Sequence, residues 1–323
     1  MRLTFRPAVL TDFDGMFRAC FPHNLDDVPT RSAVAHEWRV FLGNPATLSM
    51  VVEHLDRPES DRLVGFAQTL FVSDALVRRL RSGVCPYANQ HASRPLPGGA
   101  WPLLSPHELR KANRAEGVNA LVTHWAWREN GVTPGDQRII REYVDEAYGL
   151  FYRGYRFKEV LISAGEEWAC QSLIHAGFGM VDDYEAWFRE HPPLPPPERR
   201  PYLLGLTRAE ALANEGSHAS RIFAYCTPRL RLGPAHQELL FHALLGRTDE
   251  EISLLADISL AAVRKRWGAV FPRIGKAIPS LLPGIGGEPG GPDRRRGPEK
   301  RRAVLEYVRE HLEELRPTLL RPR

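Results

Sequence analysis

Three consecutive basic residues, Arg264, Lys265 and Arg266, lie within a predicted helix near the C-terminal end of the chain. Ser259 precedes that helix, where its hydroxyl can accept a hydrogen bond from a backbone amide of the first turn. Guanidinium and ammonium groups on one side of a helix can bind phosphate oxygens or the base edges of the DNA major groove. We therefore expect double-stranded DNA to be contacted by Ser259, Arg264, Lys265 and Arg266, with Arg247 and Arg273 as contacts to its backbone.

The elements predicted around these residues are three short helices separated by tight corners. Gly246 ends the first helix, because glycine tolerates the left-handed conformation at a helix end. Thr248 and Glu251 form a capping box that begins the second helix, and the third helix follows Ser259. We expect Pro272 to end that third helix. An isolated basic cluster would more simply be a solvated surface, but the complete helix-turn-helix pattern favours DNA binding.

The stretch GRTDEEISLLADISLAAVRKRWGAVFPRIG (246–275) resembles the LuxR-type (FixJ/NarL-like) DNA-binding domain. The residues that fall at the usual positions of that family are Gly246, Glu251, Ile252, Ile258, Ser259, Val263, Arg264 and Val270. The resemblance implies a small all-α helix-turn-helix domain that recognises a DNA sequence. Such proteins usually bind two half-sites, so it also implies a homodimer.

Residues 1–190 alternate strand-like and helix-like segments, which is typical of an α/β domain. Apolar and β-branched residues predict a strand over 62–72, which contains LVGFAQTLFV, and a strong strand over 118–127, which contains NALVTHWAW. Apolar residues at helical spacing predict an amphipathic helix over 137–152. The pattern weakens over 82–117, where prolines are frequent, and we interpret that stretch as an insertion or a lid.

The segment YRFKEVLISAGEEWACQSLIHAGFG (155–179), taken with RPAVLTDFD (6–14), resembles a GNAT acetyltransferase. The resemblance implies a GNAT-like α/β domain in which helices flank a mixed sheet. It also implies that a glycine-rich loop after the fourth strand presents amides, at a helix N-terminus, to the pyrophosphate of acetyl-CoA or another acyl-CoA. Gly131, Gly135 and Gln137 are the residues expected to bind the cofactor there.

Departures from the GNAT pattern concern the chemistry of that domain. Pro134 removes an amide donor, and Asp136 adds a negative charge where phosphate would bind. Leu173 stands where the family commonly has a tyrosine that protonates the leaving thiolate. His124 or Glu129, near the end of the strong strand, could act as a base, but a structural or solvent-facing role is the simpler interpretation. We therefore assign no catalytic residue from the sequence.

The remaining segments connect and complete these two regions. We expect residues 191–229 to be a proline-rich linker with a connecting helix, and residues 230–282 to be the helix-turn-helix domain. Residues 283–323 are predicted to be a Gly/Pro/Arg-rich segment followed by a C-terminal amphipathic helix. The apolar stripe of that helix needs a partner, which is either its own domain or a second copy of the chain.

Composition limits the class of protein. Hydrophobic residues make up 43% and charged residues 25% of the 323 positions, which suits a soluble globular protein with two domains. No apolar run approaches the roughly 20 residues that span a bilayer, and no secretion signal is apparent, so we expect a cytoplasmic protein without membrane contact. The four cysteines lack C-x-x-C spacing, and we expect no metal site. Residues 229–323 hold the positive excess, with 18 Lys/Arg against 12 Asp/Glu.

The main hypothesis from the sequence is a sequence-specific DNA-binding transcriptional regulator. Its GNAT-like domain would be non-catalytic or weakly catalytic, and would sense a small-molecule effector or hold the dimer together. The alternative is an active acyl-CoA-dependent N-acyltransferase fused to a DNA-binding module. A third interpretation treats the C-terminal helices as a protein-interaction module.

Overall fold

A computed structural model of the chain describes residues 1–21, 28–83, 86–128, 131–196, 200–282 and 297–318. These residues belong to two compact units. The first unit comprises residues 1–152 and 156–224, and the second comprises residues 153–155 and 225–321.

A seven-stranded mixed sheet forms the centre of the first unit. Its strands are β1 (Leu3–Pro7), β2 (Thr47–His54), β3 (Leu63–Val72), β4 (Val118–Trp127), β5 (Phe157–Ala164), β6 (Gly179–Asp182) and β7 (Tyr202–Thr207). They lie in the order β1-β2-β3-β4-β5-β7-β6. Every neighbouring pair is antiparallel except β4 and β5, which are parallel. The helix between these two strands makes the crossover that a parallel pair requires.

In the described residues of the first unit, nine α-helices flank this sheet. They are α1 (Phe13–Cys20), α2 (Val28–Leu42), α3 (Asp74–Arg81), α4 (Ala88–Ala92), α5 (Pro106–Arg114), α6 (Pro134–Tyr152), α7 (Glu167–Ala176), α8 (Glu185–Glu190) and α9 (Arg208–Ala213). Ser105 and Glu108 form a capping box with Pro106 at the first position of α5, as the Ser-Pro sequence predicts. In its described residues, the stretch interpreted as an insertion or a lid (82–117) thus holds two helices, α4 and α5, and Leu103 forms a bridge with Val72 of β3.

Two apolar clusters cover the two faces of the sheet. Val51 of β2 packs with Trp38 of α2 and Phe66 of β3 in the larger cluster, which also includes α1 and α3. The next residue, Val52, belongs to the second cluster with Val144 of α6. Since successive residues of a strand point to opposite faces, α1 and α2 cover one face and α6 covers the other.

Strand β7 corrects the predicted linker. Residues 202–207 were expected to lie in a connecting segment, but they pair with β5 from Glu159 to Ala164 and complete the sheet. The reason is composition, because YLLGLT is apolar enough to be buried on both faces. Thr207 then caps α9 through a capping box with Glu210. A 3-10 helix follows over Ala219–Phe223.

Four α-helices form the described part of the second unit. They are α10 (Pro234–Leu244), α11 (Asp249–Leu255), α12 (Leu260–Ala277) and α13 (Gly297–Glu310), followed by a 3-10 turn at Leu312–Leu315. Thr248 and Glu251 form the expected capping box, and the Ser259 hydroxyl accepts the amide of Ala262. Pro272 does not end α12, which runs five residues further because helical packing of Ile274 outweighs the one lost amide.

The apolar stripe of α13 is buried within the second unit. Val304 and Val308 are fully buried, and α13 packs against α10. Glu314, after α13, accepts the backbone amides of Arg229 and Leu230 at 2.8 and 2.9 Å. The stripe therefore needs no second copy of the chain to cover it. The predicted Gly/Pro/Arg-rich segment at 283–296 lies outside the described residues. Within the described ranges, no helix combines the length and hydrophobicity needed to cross a membrane.

Candidate active site

The parallel strands β4 and β5 lie side by side along only part of their length. Their ladder begins with Val118 opposite Phe157 and ends with Val122 opposite Ile162. β4 continues to Trp127 with β3 as its partner, and β5 continues to Ala164 with β7 as its partner. The two strands therefore separate beyond Val122. Residues 123–127 border the opening between them, which we call the split.

A β-bulge lies where the split begins. Gln68 of β3 pairs with His124, whereas the next residue, Thr69, pairs with Val122, so Thr123 is an extra residue in β4. The extra residue of a bulge leaves the hydrogen-bonded ladder and redirects the side chains that follow it. Here it places His124 on the face covered by α1 and α2, and Trp125 on the face covered by α6.

His124 is a half-buried imidazole among aromatic rings. The ring centroids of Phe21, Trp38 and Phe66 lie 6.2, 5.3 and 5.6 Å from that of His124. Burial lowers the pKa of His124 to about 4, because these apolar surroundings cannot solvate an imidazolium ion. The side chain is therefore neutral at physiological pH and has a lone pair that can accept a proton.

A chain of uncharged polar side chains leads from His124 into the sheet. Thr123 Oγ1 lies 3.1 Å from His124 Nδ1 and 3.0 Å from Gln68 Oε1. Gln68 Nε2 donates to Ser49 Oγ at 3.1 Å. Gln68 is fully buried and Ser49 nearly so. We call Ser49, Gln68 and Thr123 the relay, and its bonds fix the position of the imidazole.

Two guanidinium groups converge at the loop that follows β4. Arg57 Nη2 donates to the carbonyl oxygen of Gly131 at 3.0 Å. A Cβ atom built on Gly131 would lie 3.7 Å from Arg128 Nη2, and Gly131 has a left-handed φ of 72°. Asp61 accepts hydrogen bonds from both arginines, with Arg128 as the main cause of its lowered pKa. The shared carboxylate holds both cations beside the loop.

Helix α6 starts directly after this loop. The Thr133 hydroxyl accepts the amide of Asp136 at 3.2 Å, and the Thr133 carbonyl accepts the amide of Gln137 at 2.9 Å. A Cβ atom on Gly135 would meet nothing closer than Thr133 Oγ1 at 4.0 Å, so the approach to the helix end is open. The positive end of a 19-residue helix and two arginines suit a pyrophosphate.

The three residues predicted to bind the cofactor are therefore brought together at one helix end, with different surroundings. Gly131 and Gly135 leave room for a ligand. Gln137 braces the loop, because its Nε2 donates to the Val132 carbonyl at 3.4 Å. That they bind a cofactor stays a prediction.

Two tryptophans lie where the strands beyond the split end. Trp127 is the last residue of β4, and Trp168 follows β5 in the first turn of α7. Their ring centroids are 6.1 Å apart with an interplanar angle of 68°. Trp168 is 53% exposed and donates its Nε1 hydrogen to Glu166. Exposure of this size places Trp168 outside the core and fits the wall of an opening.

Neither of the other two positions considered for proton transfer supplies a group in the described part of the chain. Leu173 is buried on α7, so position 173 supplies no proton donor. Glu129, the second candidate base, lies outside the described residues. Within the described chain, no group of three or more His, Cys, Asp or Glu side chains is placed to hold a metal ion.

The basic residues predicted to bind DNA have unequal surroundings in the second unit. Arg266 Nη1 donates to Glu238 Oε2 at 3.0 Å and to the Ala235 carbonyl at 3.3 Å. Arg273 donates to the carbonyls of Leu230 and Arg231 at 2.7 and 2.6 Å. These two guanidinium groups hold elements of their own unit together.

The remaining four predicted DNA contacts lie at the start of α11 and in the first half of α12. Arg247 Nη1 lies 3.5 Å from the carboxylate of Glu251. Ser259, Arg264 and Lys265 are exposed, and Ser259 caps its helix. A nucleic-acid contact by any of these side chains stays a prediction.

The sequence interpretation did not identify the relay or the two arginines as site residues. Gln68 and Thr123 are polar residues inside strongly apolar strand segments, and that contrast was the signal that could have identified them. Arg128 lies three positions before Gly131, one of the residues predicted to bind the cofactor. No sequence signal identifies Arg57 or Ser49.

No protein-family model and no curated protein matches the sequence. Among solved structures, the chain is similar to the C-terminal condensation domain of Ebony in complex with beta-alanyl-dopamine (13% identity, TM-score 0.37, 64% of this chain and 99% of the other). It is similar to FeeM, an N-acyl amino acid synthase from uncultured soil microbes (12% identity, TM-score 0.34, 67% of this chain and 97% of the other). It is also similar to the spermidine/spermine N-acetyltransferase SpeG from Vibrio cholerae (11% identity, TM-score 0.33, 66% of this chain and 98% of the other). At these identities and TM-scores, no substrate or partner is carried over to this chain.

The prediction of a DNA-binding transcriptional regulator is wrong as the main function. The solved structures named above are a condensation domain, an N-acyl amino acid synthase and an N-acetyltransferase, and none is named as a transcriptional regulator. The regulator hypothesis depended mainly on residue order in the helix-turn-helix stretch, which fixes helix boundaries more strongly than it fixes a ligand. The mixed sheet flanked by helices agrees with the α/β fold class expected for residues 1–190.

Proposed function

We propose that this chain is an acyl-CoA-dependent N-acyltransferase whose reaction centre lies at the split. The observation that carries the proposal is the position of His124, a neutral imidazole beside the opening between β4 and β5. A neutral base in this position can take a proton from an amine as the nitrogen attacks an acyl carbonyl. The strands that separate beside it offer room for an extended thioester.

The proposed reaction assigns each group of the site one task. Bound acyl-CoA supplies an acyl group activated as a thioester. Its pyrophosphate would be held by Arg57, Arg128 and the amides at the start of α6, beside Gly131 and Gly135. The acceptor nitrogen forms the new N–C bond, the C–S bond breaks, and the proton lost by nitrogen goes to His124. The thiolate leaves and is protonated by solvent, since Leu173 has no proton to donate.

In the proposed reaction, the position of His124 matters as much as its basicity. With a pKa near 4, His124 is a weak base, so it removes the proton only as the N–C bond forms and the nitrogen becomes strongly acidic. The aromatic rings around His124 exclude water from one side of the imidazole. Much of the rate would then come from holding the amine and the thioester in line.

The test is acyl transfer by the full chain. Acetyl-CoA is incubated with a panel of primary amines that includes polyamines, arylalkylamines and amino acids, and N-acetylated products are measured by mass spectrometry. Mass spectrometry is preferred to thiol reagents because the chain has an exposed cysteine of its own, Cys226. We expect product with at least one amine class. No product from any amine, together with no heat of acetyl-CoA binding in calorimetry at millimolar ligand, would overturn the proposal.

Two variants separate the roles of base and cofactor site. His124→Gln should lower kcat about 100-fold and leave acetyl-CoA affinity unchanged, because it removes the base and not the anion site. Arg128→Ala should weaken acetyl-CoA binding about tenfold, because one charge-assisted hydrogen bond is lost. The matched control is His107→Gln on α5, whose side chain is exposed, and it should leave both quantities unchanged.

A further inference from the structure

We propose that Thr123 and Gln68 are positioning residues that hold His124 in the tautomer with its hydrogen on Nδ1, so that the lone pair on Nε2 accepts the substrate proton. The role of that lone pair rests on the proposed acyltransferase function. The tautomer itself follows from the hydrogen bonds of the relay and can be tested without any reaction.

The Thr123 hydroxyl has a single hydrogen to donate. Its oxygen lies 3.0 Å from Gln68 Oε1 and 3.5 Å from the backbone carbonyl oxygen of Gln68. Both of these oxygens can only accept, so the single hydroxyl hydrogen of Thr123 is used on that side. What Thr123 Oγ1 presents to His124 Nδ1, at 3.1 Å, is a lone pair. The contact is a hydrogen bond only if Nδ1 carries the hydrogen.

The orientation of the Gln68 amide decides where the Thr123 hydrogen points. Gln68 Nε2 donates to Ser49 Oγ at 3.1 Å, which turns Oε1 towards Thr123. Gln68 is fully buried, so both ends of the amide depend on protein partners. The opposite orientation would reverse every bond of the relay: Gln68 would donate to Thr123, and the Thr123 hydroxyl would be free to donate to Nδ1. The two orientations therefore predict opposite tautomers of His124.

The register of three strands holds the relay in place. Ser49 of β2 lies opposite Gln68 of β3, and Gln68 lies opposite His124 of β4. Side chains at directly opposite positions of an antiparallel pair lie on the same face, within contact distance. Thr123 would face the other way in a regular strand, and the bulge in β4 lets its hydroxyl reach both Gln68 and His124. The bulge is thus what joins the relay to the imidazole.

The bond from His124 Nδ1 to Thr123 decides which ring nitrogen faces the substrate. With Nδ1 bonded to Thr123, the sheet holds one edge of the ring, and Nε2 on the other edge has the free lone pair. In the opposite tautomer, Nε2 carries a hydrogen and the basic nitrogen lies against Thr123. That tautomer could not accept a proton from the amine without first turning the ring.

Nitrogen-15 NMR of the histidine side chains measures the tautomer directly. The full chain is labelled with ring-¹⁵N histidine at pH 7.5, and His124→Gln identifies the His124 signals by their loss. We expect an Nδ1–H tautomer in the unmodified chain. Thr123→Val should convert His124 to a mixture of tautomers and lower kcat about tenfold or more, with acetyl-CoA affinity unchanged. Thr123→Ser, which keeps the hydroxyl, should restore both.

A matched control separates the relay from general loss of a sheet hydroxyl. Thr69→Val also removes a threonine hydroxyl from the sheet, but that hydroxyl bonds to Tyr152 of α6, so the tautomer of His124 should not change. An Nε2–H tautomer in the unmodified chain overturns the proposal, as does an unchanged Nδ1–H tautomer in Thr123→Val. The spectrum of the unmodified chain decides the question even if a variant fails to fold. Absence of acyl transfer with an Nδ1–H tautomer would refute the proposed function and leave the relay assignment intact.

Discussion

The helices over 234–277 and the split end of β4 differ in what their polar side chains bind. In the helices, charged groups bind each other and backbone carbonyls: Arg266 binds Glu238, and Asp249 accepts from both Arg301 and Trp267. At the split, the relay is uncharged, and it ends at an imidazole whose second nitrogen has no bond to the relay. Charge in the first region is used to hold helices together, whereas neutral polarity in the second supports one reactive group.

This difference explains why basic residues were a poor guide to function. A run of basic residues attracts attention in a sequence, but burial decides whether a charge is available to a ligand. Arg301 illustrates this point, because its guanidinium bonds both oxygens of Asp249 and lies 4.7 Å from the centroid of the Trp267 ring. A half-buried histidine inside an apolar strand is less conspicuous, yet its surroundings leave it neutral and able to bind a proton.

The largest effect is expected for Glu238→Ala in the helical region. The Glu238 side chain is 5% exposed and its partner Arg266 is 15% exposed. Removing the carboxylate leaves Arg266 with the Ala235 carbonyl alone, and loss of one member of a buried pair costs about 3–5 kcal/mol. Urea denaturation followed by circular dichroism measures the loss. Acyl transfer per folded molecule should not change.

The matched control for that variant is Glu310→Ala, which removes an exposed carboxylate from the end of α13. It should change the free energy of unfolding by no more than about 0.5 kcal/mol. If Glu238→Ala costs no more than this control, then the charges of the helical region do not stabilise it, and the contrast with the relay loses its basis.

The second effect concerns stability at acid pH. Unfolded histidine titrates near pH 6.5 and folded His124 at about 4, so between these values the unfolded state binds the proton first. The contribution of His124 to stability is therefore complete above pH 6.5 and is lost as the pH falls to 4. Between pH 6.5 and 4, we expect the free energy of unfolding to fall by about 2 kcal/mol more in the unmodified chain than in His124→Gln. This figure is smaller than the pKa difference alone implies, because solvent screens a half-buried ring.

Urea denaturation of both proteins at several pH values between 7 and 4 measures that difference. Carboxylates and the other histidines titrate in both proteins, so they cancel in the comparison. Equal losses in the two proteins would mean that folded His124 titrates near its ordinary value. The split would then hold a charged imidazole at mildly acid pH, and the contrast with the helical region would be smaller.

Local signals in the sequence predicted the helix starts well. The capping box at Thr248 and the Ser259 cap form as expected, because each depends on residues only three positions apart. Pro272 was misjudged because a single proline inside a helix can be outweighed by packing on either side of it. Strand β7 was missed because its neighbours are proline-rich, although its own six residues are apolar.

The site was less predictable because it depends on register. His124 was recognised as a candidate base, but its supports come from Ser49 and Gln68, which are remote in sequence. Their meeting requires three strands to pair in one register and β4 to bulge by one residue at Thr123. No pattern along a single sequence encodes a bulge of this kind. The same holds for Arg57, which reaches Gly131 from a loop 74 residues earlier.

The smallest effect is expected for the double variant Arg264→Ala, Lys265→Ala. Both side chains are exposed on α12, so their removal should change the free energy of unfolding by no more than about 0.5 kcal/mol. Arg266→Ala on the same helix should cost about 3 kcal/mol, since it removes the guanidinium that is paired with the buried Glu238 carboxylate. Urea denaturation of the three proteins gives both differences. A double variant as unstable as Arg266→Ala would show that the three consecutive basic residues act together in the fold, whereas unequal costs would separate one structural arginine from two residues available to solvent.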